Sequence, residues 1–182
     1  MNKAVFLDRD GTINIDKKFV HKIEDFEFEP GAIEALKKLS QSNYKLILIT
    51  SQSGIGRGYF EESDYEKFTQ HMLSELEKHG VTFDGKYHCP HHPTEGVGEY
   101  KTECECRKPK PGMILKACKE HNIDPKESFM IGDKWVDVKM GQNAGCRPIL
   151  VMTGKAGSDT EFKTGNAIIR KNLLDAVEYI LQ

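Results

Sequence analysis

Three of the five cysteines in this sequence stand within eighteen positions of one another. Cys89 precedes His91 by two residues, and Cys104 precedes Cys106 by two residues on the far side of a polar loop. Three thiolates and one imidazole make a closed tetrahedral zinc site. The residues between the two pairs are too polar to form a core that would bury scattered thiols. The spacing therefore predicts a structural zinc ion in a loop at about residues 88–108.

His92 follows His91 directly and offers a second imidazole, so the residues alone leave the histidine ligand open between the two. The two remaining cysteines, Cys118 and Cys146, fall in the apolar patterns of a helix and of the approach to a strand. Buried, unreactive thiols are common in such places. We interpret these two cysteines as core residues.

Length and composition limit the classes of protein to consider. A chain of 182 residues can bury about two-thirds of its unfolded surface without disulfides, so stability does not explain the clustered thiols. The start, MNKAVFLDRDG, has an apolar run of only four residues, and no later segment approaches membrane-spanning length. We therefore expect a cytoplasmic protein with no membrane partner, in a reducing compartment that disfavours disulfides. The 26 basic and 28 acidic residues are intermixed, which argues against a nucleic-acid partner.

Four short apolar runs predict strands that are buried on both faces of a parallel sheet. They are KAVFLD (3 to 8), KLILIT (45 to 50), SFMIGD (128 to 133) and PILVMT (148 to 153). Helical patterns alternate with these runs. Four helices are predicted: one around Ile33, Leu36 and Leu39, one from Ser63 to Gly80 with Glu66 completing a capping box, one at 111–122 and one at 172–182.

Alternating strands and helices predict a doubly wound α/β sheet, and we expect residues 1–182 to form a single domain. Ligands of such sheets bind beyond the carboxyl ends of the strands. Three of the predicted strands end in polar residues: Asp8 and Asp10, Thr50, and Asp133. Carboxylates gathered at one edge would repel each other unless a cation lay among them, and oxygen ligands of this kind suit magnesium.

These residues resemble the four motifs of the haloacid dehalogenase superfamily of phosphohydrolases. The resemblance rests on DRDGT (8–12), Thr50 after an apolar run, Lys108, and Gly132-Asp133 with Asp137 four residues further on. More narrowly, FLDRDGTIN, TSQSGIGRGYF, CPHHP, CECRKPKPGM and MIGDKWVD resemble the heptose 1,7-bisphosphate phosphatases, close kin of the histidinol-phosphate phosphatases. The resemblance spans nearly the whole chain and implies the haloacid dehalogenase fold. It departs at Ser51, where the family pattern has asparagine.

The resemblance assigns roles that agree with the chemistry of the residues. Asp8 is expected to attack phosphorus and form an aspartyl-phosphate, which divides one difficult hydrolysis into two easier steps. Asp10 is expected to act as general acid and then general base, with a pKa raised enough to hold a proton. Magnesium is expected on the Asp8 and Asp133 side chains and the Asp10 main-chain carbonyl. Asp137 is left open between a role in orienting the metal site and an ordinary solvated position.

The remaining site residues bind phosphate and substrate. They are Thr50, Ser51, Gln52, Ser53, Arg107 and Lys108. The family's Cys-x-His pattern selects His91 over His92 as the zinc ligand. Only about forty residues separate Asp10 from Thr50, which leaves no room for an inserted cap domain, so the zinc loop is expected to pin Arg107 and Lys108 at the site instead.

Three functions are compatible with these features. The first is a magnesium-dependent phosphatase, expected to be a monomer, acting at C7 of D-glycero-D-manno-heptose 1,7-bisphosphate, a small phosphorylated sugar. The second keeps the chemistry and changes the substrate to histidinol phosphate or another small phosphate ester. The third is a zinc-stapled binding module or a domain that holds its aspartyl-phosphate as a signal. The TSQSGIGRGYF stretch and the long loop between the ligand pairs favour the first.

Overall fold

The computed structural model describes residues 1–165 and 167–182. Six strands form one sheet: Lys3–Leu7 (β1), Tyr44–Ser51 (β2), Gly85–Cys89 (β3), Phe129–Gly132 (β4), Arg147–Val151 (β5) and Ile168–Arg170 (β6). They pair side by side in the order β3-β2-β1-β4-β5-β6, and every pair is parallel. The doubly wound α/β sheet predicted from the sequence is confirmed. The carboxyl ends of all six strands therefore lie on one edge.

Six helices connect and cover the strands: Ala32–Ser40 (α1), Ser53–Gly56 (α2), Glu62–Glu77 (α3), Gly112–His121 (α4), Trp135–Ala144 (α5) and Leu173–Ile180 (α6). Successive side chains of a strand point to opposite faces, and β1 is apolar at every position from Ala4 to Leu7. Val5 and Leu7 pack with α1, α3 and α6, whereas Ala4 and Phe6 pack with α4 and α5. Two apolar layers thus hold β1 rigidly at the centre of the sheet.

The four predicted strands agree with β1, β2, β4 and β5 to within two residues at each end. The capping box predicted for Ser63 and Glu66 is wrong. Helix α3 is capped instead by Glu61 and Asp64, while Glu66 forms an ion pair with Lys86 on β3. Carboxylates can accept from helix N–H groups as hydroxyls do, so the start of α3 lies one residue earlier than predicted.

Two strands and two helices, α2 and α5, were not predicted, and α2 has only four residues. Strand β3 carries polar residues at an edge of the sheet, and β6 has only three residues. Helix α5 has a weak apolar pattern because Asp137 and Gly141 stand on its buried side. Between β1 and β2 the chain forms only a short 3-10 turn, Ile23–Asp25, and α1, in agreement with the expected lack of a cap. Among the described residues, no helix is both long and apolar enough to cross a membrane.

Candidate active site

Two neighbouring strands bring the predicted catalytic carboxylates together. Asp8 follows β1 and Asp133 follows β4, and the Asp8 N–H donates to the carbonyl of Ile131 at 2.9 Å. One turn into α5, Asp137 joins them, and one oxygen of each of the three carboxylates lies within 4.8 Å of the others. We call Asp8, Asp133 and Asp137 the carboxylate cluster. All three side chains are buried.

Burial raises the pKa of two of these carboxylates, Asp8 and Asp133. Removal from water, opposed by Lys108 and Lys134, raises the pKa of Asp8. Burial and the carboxylates of Asp8 and Asp137 raise the pKa of Asp133 to about 8, against the opposing charge of Lys134. A nearby cation would reverse both shifts.

The ammonium of Lys108 offsets part of the repulsion between the carboxylates. Its Nζ lies 2.8 Å from Asp8 Oδ1 and 2.6 Å from Asp137 Oδ1, and the ammonium is buried between them. Burial lowers the pKa of Lys108, but the two carboxylates outweigh it and the net shift is upward, so the ammonium stays charged. Asp137 is 1% exposed, so its interpretation as a solvated helix residue is wrong. Its side chain positions Lys108 and accepts from the Lys134 N–H at 3.2 Å.

The carboxylate cluster fits a divalent cation. Asp133 Oδ1 is fully buried, and no hydrogen-bond donor among the described residues reaches it; the Lys134 ammonium lies 3.6 Å away. An orphaned, buried carboxylate oxygen is costly unless a cation binds it. The carboxylates of Asp8 and Asp133 are oxygen ligands of the kind that Mg²⁺ prefers.

Asp10 occupies a different environment from the cluster. Arg9 Nε donates to Asp10 Oδ1 and Arg9 Nη2 to Oδ2, both at 3.0 Å. Asn14 Nδ2 and Gln52 Nε2 donate to the same carboxylate at 3.0 and 3.1 Å. Burial raises the pKa of Asp10, but Arg9 and these donors favour the charged form and the net shift is downward. The prediction of a raised pKa for Asp10 is wrong.

Arg9 was missed by the sequence analysis although it stands inside the DRD motif. Its guanidinium is fully buried, donates to Thr69 Oγ1 at 3.2 Å and to the Val20 carbonyl at 3.1 Å, and lies 4.6 Å from the ring centre of Phe68. Such a bidentate pair fixes both oxygens of Asp10 in one plane. The position of Arg9 between two predicted catalytic aspartates was the signal in the sequence that could have indicated its role.

The polar residues after β2 divide into two groups. Thr50 is buried and its hydroxyl accepts from Gln52 Nε2 at 2.8 Å. Because that amide also binds Asp10, Gln52 links two site residues, and it does not line the cleft where substrate was expected to meet it. Ser51 and Ser53 do line that cleft.

The cleft has a volume of about 520 Å³ and opens over the carboxyl ends of the strands. Arg107, Lys108, Lys110 and Lys134 contribute its positive charges. Lys134 was not singled out in the sequence, although it directly follows Asp133. Two carboxylates, Glu103 and Asp159, also line the cleft, so the four cations leave an excess of positive charge, which suits an anionic substrate.

The predicted zinc ligands also meet. Sγ–Sγ distances among Cys89, Cys104 and Cys106 are 3.1 to 3.5 Å, and His91 Nδ1 lies 3.8 Å from Cys89 Sγ and 3.4 Å from Cys106 Sγ. We call these four residues the thiol cluster. Ligands bound to one zinc ion at about 2.0 to 2.3 Å are separated by distances of this order. The cluster can hold a metal ion.

His92 is turned away from the thiol cluster. Its Nδ1 accepts from the Glu95 N–H at 3.0 Å, and Nε2 lies 3.6 Å from the Glu95 carboxylate. The same loop reaches the active site, because Arg107 Nη1 donates to the His91 carbonyl at 2.9 Å. It also braces α2, since the Val97 N–H donates to the Gly56 carbonyl at 2.8 Å.

Comparison with known proteins places this arrangement in a family. A family model described as HAD-hydrolase-like matches residues 105–176. The D-glycero-beta-D-manno-heptose-1,7-bisphosphate 7-phosphatase of Pasteurella multocida (strain Pm70) is 52% identical over 170 residues, which cover 93% of this chain and 92% of that protein. A D-glycero-alpha-D-manno-heptose-1,7-bisphosphate 7-phosphatase of Photorhabdus laumondii is 45% identical over 172 residues, 94% of this chain and 92% of that protein.

A solved structure agrees with these relatives. The crystal structure of D,D-heptose 1,7-bisphosphate phosphatase from B. bronchiseptica, complexed with magnesium and phosphate, superposes with a TM-score of 0.87 at 32% identity. The match covers 99% of this chain and 98% of that one.

Proposed function

Because the chain belongs to the heptose-1,7-bisphosphate 7-phosphatase family of HAD-like hydrolases, we propose that it removes the C7 phosphate of D-glycero-D-manno-heptose 1,7-bisphosphate. The chain is thus a phosphoric monoester hydrolase. The observation that carries the proposal is the pair of carboxylates after β1: Asp8 is buried against the Lys108 ammonium, and Asp10 is held by Arg9. Lys108 also lines the cleft described above.

In the first step an Asp8 carboxylate oxygen attacks phosphorus, the bond from phosphorus to the C7 oxygen breaks, and an aspartyl-phosphate forms. Lys108 lies 2.8 Å from Asp8 and offsets the repulsion between nucleophile and phosphate. Bound Mg²⁺ would supply further neutralisation of the phosphoryl charge. The departing alkoxide takes a proton from Asp10, whose protonated form is favoured once an anionic phosphate lies beside it.

In the second step water attacks the aspartyl-phosphate, and Asp10 accepts the proton that this water loses. Phosphate leaves and the Asp8 carboxylate is regenerated. The hydrogen bonds that Asp10 accepts from Arg9, Asn14 and Gln52 hold it in the ionised form that this step requires. The Thr50 hydroxyl lies within the same network and is proposed to donate to a phosphoryl oxygen.

The thiol cluster is proposed to bind a structural zinc ion. Its ligand set is soft and closed, with no position left for a reactive water. The support for a role at the active site is the hydrogen bond from Arg107 to the carbonyl of the ligand His91. A fixed Arg107 beside Lys108 would hold the second phosphate of a bisphosphate through paired hydrogen bonds. We further propose a monomer acting in the cytoplasm, where reducing conditions keep the thiols available as ligands.

Phosphate release with Mg²⁺ tests the proposal. The alpha and beta anomers of heptose 1,7-bisphosphate are assayed separately, beside histidinol phosphate and fructose 1,6-bisphosphate, with Asp8→Asn as the control. Rapid turnover of one heptose anomer, lost in Asp8→Asn, is the expected result. The anomer is decided by this assay, because relatives of both specificities are named.

Other outcomes separate the competing functions. Faster hydrolysis of histidinol phosphate would keep the mechanism and change the substrate. A single phosphorylation of Asp8 without turnover, detected as one acid-stable or hydroxylamine-sensitive phosphate per chain, would identify a signalling domain. Asp10 stands two residues after Asp8, and its pKa is lowered, so it is available as a base. A base at this position speeds the hydrolysis of an aspartyl-phosphate, which favours turnover over a stable phosphorylated state.

A further inference from the structure

The loop after β5, residues 153–157, contacts the carboxylate cluster at Asp133. We call it the β5 loop. The main-chain N–H of Lys155 donates to Asp133 Oδ2 at 2.6 Å, and the N–H of Gly157 donates to the Asp133 carbonyl at 2.8 Å. One oxygen of Asp133 is thereby committed to the β5 loop, while Oδ1 has no donor among the described residues.

Two glycines make this approach sterically feasible. We call residues 8–16, which follow β1, the β1 loop. Gly11 in the β1 loop and Gly154 in the β5 loop both adopt positive φ, at +86° and +51°. A Cβ built on Gly154 would lie 2.3 Å from Asp133 Oδ2 and 2.6 Å from Gly11 Cα. A Cβ on Gly11 would lie 2.4 Å from the same oxygen. The Asp133 carboxylate is therefore enclosed by two backbones with no space for a side chain.

Two side chains tie the β5 loop to the β1 loop. Thr153 Oγ1 donates to the Gly11 carbonyl at 2.7 Å, and Lys155 Nζ lies 3.5 Å from Asp16 Oδ2. The first contact acts at the glycine that touches Asp133, whereas the second lies further out. The loop that carries Asp8 is thus tied to the β5 loop, whose main chain in turn binds Asp133.

We propose that the β5 loop is a positioning element for the metal-binding carboxylate of Asp133, with Gly154 and Thr153 as its determinants. It fixes Oδ2 through the Lys155 N–H and leaves Oδ1 aimed at the cation. This inference rests on the proposed function, because it concerns the cation that the phosphatase reaction uses.

The first test compares Gly154→Ala with Gly80→Ala. Gly80 also has positive φ, at +76°, but a Cβ there meets no atom within 4 Å, so it matches the backbone strain without the contact. The dissociation constant for Mg²⁺ is measured from the rise of Tm with Mg²⁺ concentration and from Mn²⁺ binding by electron paramagnetic resonance. Gly154→Ala is expected to weaken binding by about tenfold or more, and Gly80→Ala to leave it unchanged.

The second test uses Thr153, where a folding defect is less of a concern because the side chain is half-exposed. Thr153→Val keeps the shape and removes the hydroxyl; it is expected to weaken Mg²⁺ binding by about two- to tenfold, with Tm in the absence of Mg²⁺ close to that of the wild type. Thr153→Ser keeps the donor and is expected to restore the wild-type value.

Wild-type Mg²⁺ affinity in folded Gly154→Ala, or in Thr153→Val if the glycine variant does not fold, would overturn the proposal. A wild-type protein that binds Mg²⁺ but hydrolyses no ester would refute the proposed function alone. The two failures are distinguished because one is read as a metal dissociation constant and the other as phosphate release.

Discussion

The thiol cluster and the carboxylate cluster can each hold a cation, but they are assembled differently. The thiol cluster takes all its ligands from one stretch of eighteen residues, and these ligands contact one another directly. The carboxylate cluster draws on the ends of β1 and β4 and on α5, and it is supported by Lys108 and by the β5 loop. A cluster of ligands within one loop, such as the thiol cluster, depends on its metal for its shape. The carboxylate cluster lies at the edge of the sheet and takes its shape from the packed core.

The two clusters also differ in how their charges are balanced by neighbouring groups. The three carboxylates have two lysines beside them, so a large part of their repulsion is already balanced within the protein. The thiol cluster consists of three thiols and one imidazole and contains no ammonium or guanidinium group. Removal of magnesium is therefore expected to leave the fold intact, while removal of zinc is expected to disorganise the loop and the arginine attached to it.

The largest effect is expected for Asp10→Asn, which tests the carboxylate side of the comparison. Asparagine keeps the shape and the main-chain carbonyl but cannot shuttle a proton, so kcat is expected to fall by about 10²–10⁴ with a small change in KM. Steady-state kinetics are compared below the Tm of both proteins, because Arg9 loses its charged partner and stability falls. A kcat within tenfold of the wild type would remove Asp10 from the proton transfers.

The next effect tests the thiol side. Cys106→Ala is expected to lose zinc and to lower kcat/KM by about 10², since Arg107 and Lys108 follow the lost ligand directly and small displacements at a site are costly. Zinc content is measured by mass spectrometry beside the kinetics. Cys118→Ala is the matched control, because Cys118 lies on α4 outside the cluster. A zinc-free variant with wild-type kcat and KM would show that the thiol cluster does not position Arg107 and Lys108 in the active site.

A smaller loss is expected for Asp137→Asn, which removes one of the two charges that hold Lys108. kcat/KM is expected to fall by about ten- to hundredfold, while zinc content is unchanged. Asp175→Asn is the control for the loss of a helix-capping carboxylate, since Asp175 accepts from the Lys171 N–H near the start of α6, remote from the cleft. Equal activity of the two variants would contradict a role for Asp137 at the active site.

The smallest effect concerns Glu29, a buried carboxylate outside both clusters. Burial, together with Glu27 and Asp16, raises the pKa of Glu29, so its charged form is disfavoured in the folded protein. The cost is present above the folded pKa and vanishes below the unfolded pKa, where both states are protonated. Glu29→Gln is therefore expected to raise Tm by about 1–2 °C at pH 7 and by less at pH 4. Thermal unfolding at the two pH values checks it, and an equal shift at both would contradict the electrostatic cause.

Much of the fold could be predicted from the sequence. Strands buried on both faces leave continuous apolar runs, which is why β1, β2, β4 and β5 were recognisable. Parallel strands end on a common edge, so the sequence predicts that the polar residues that follow β1 and β4 meet. The thiol cluster was recognisable for a simpler reason: its ligands are of unusual type and close in the chain.

Only the tertiary structure decided how the aspartates are used. It showed Asp10 held in its ionised form by Arg9, Asn14 and Gln52, opposite to the raised pKa that was expected. It also showed that the Gln52 amide links Thr50 to Asp10. Sequence spacing identifies which groups converge, but the balance of burial and donors around each group depends on contacts between distant segments.

The sequence by itself determined which reactive groups are present, namely carboxylates that can act as nucleophile or bind a cation, and a set of thiols and an imidazole that can bind a soft metal ion. Tertiary structure alone decided their positions: Lys108 lies against Asp8 across a hundred residues, and the β5 loop closes on Asp133 through backbone groups that every residue type carries. Main-chain donors leave no signature in a single sequence. The groups that orient the metal site therefore became visible only when the strands were brought to one edge.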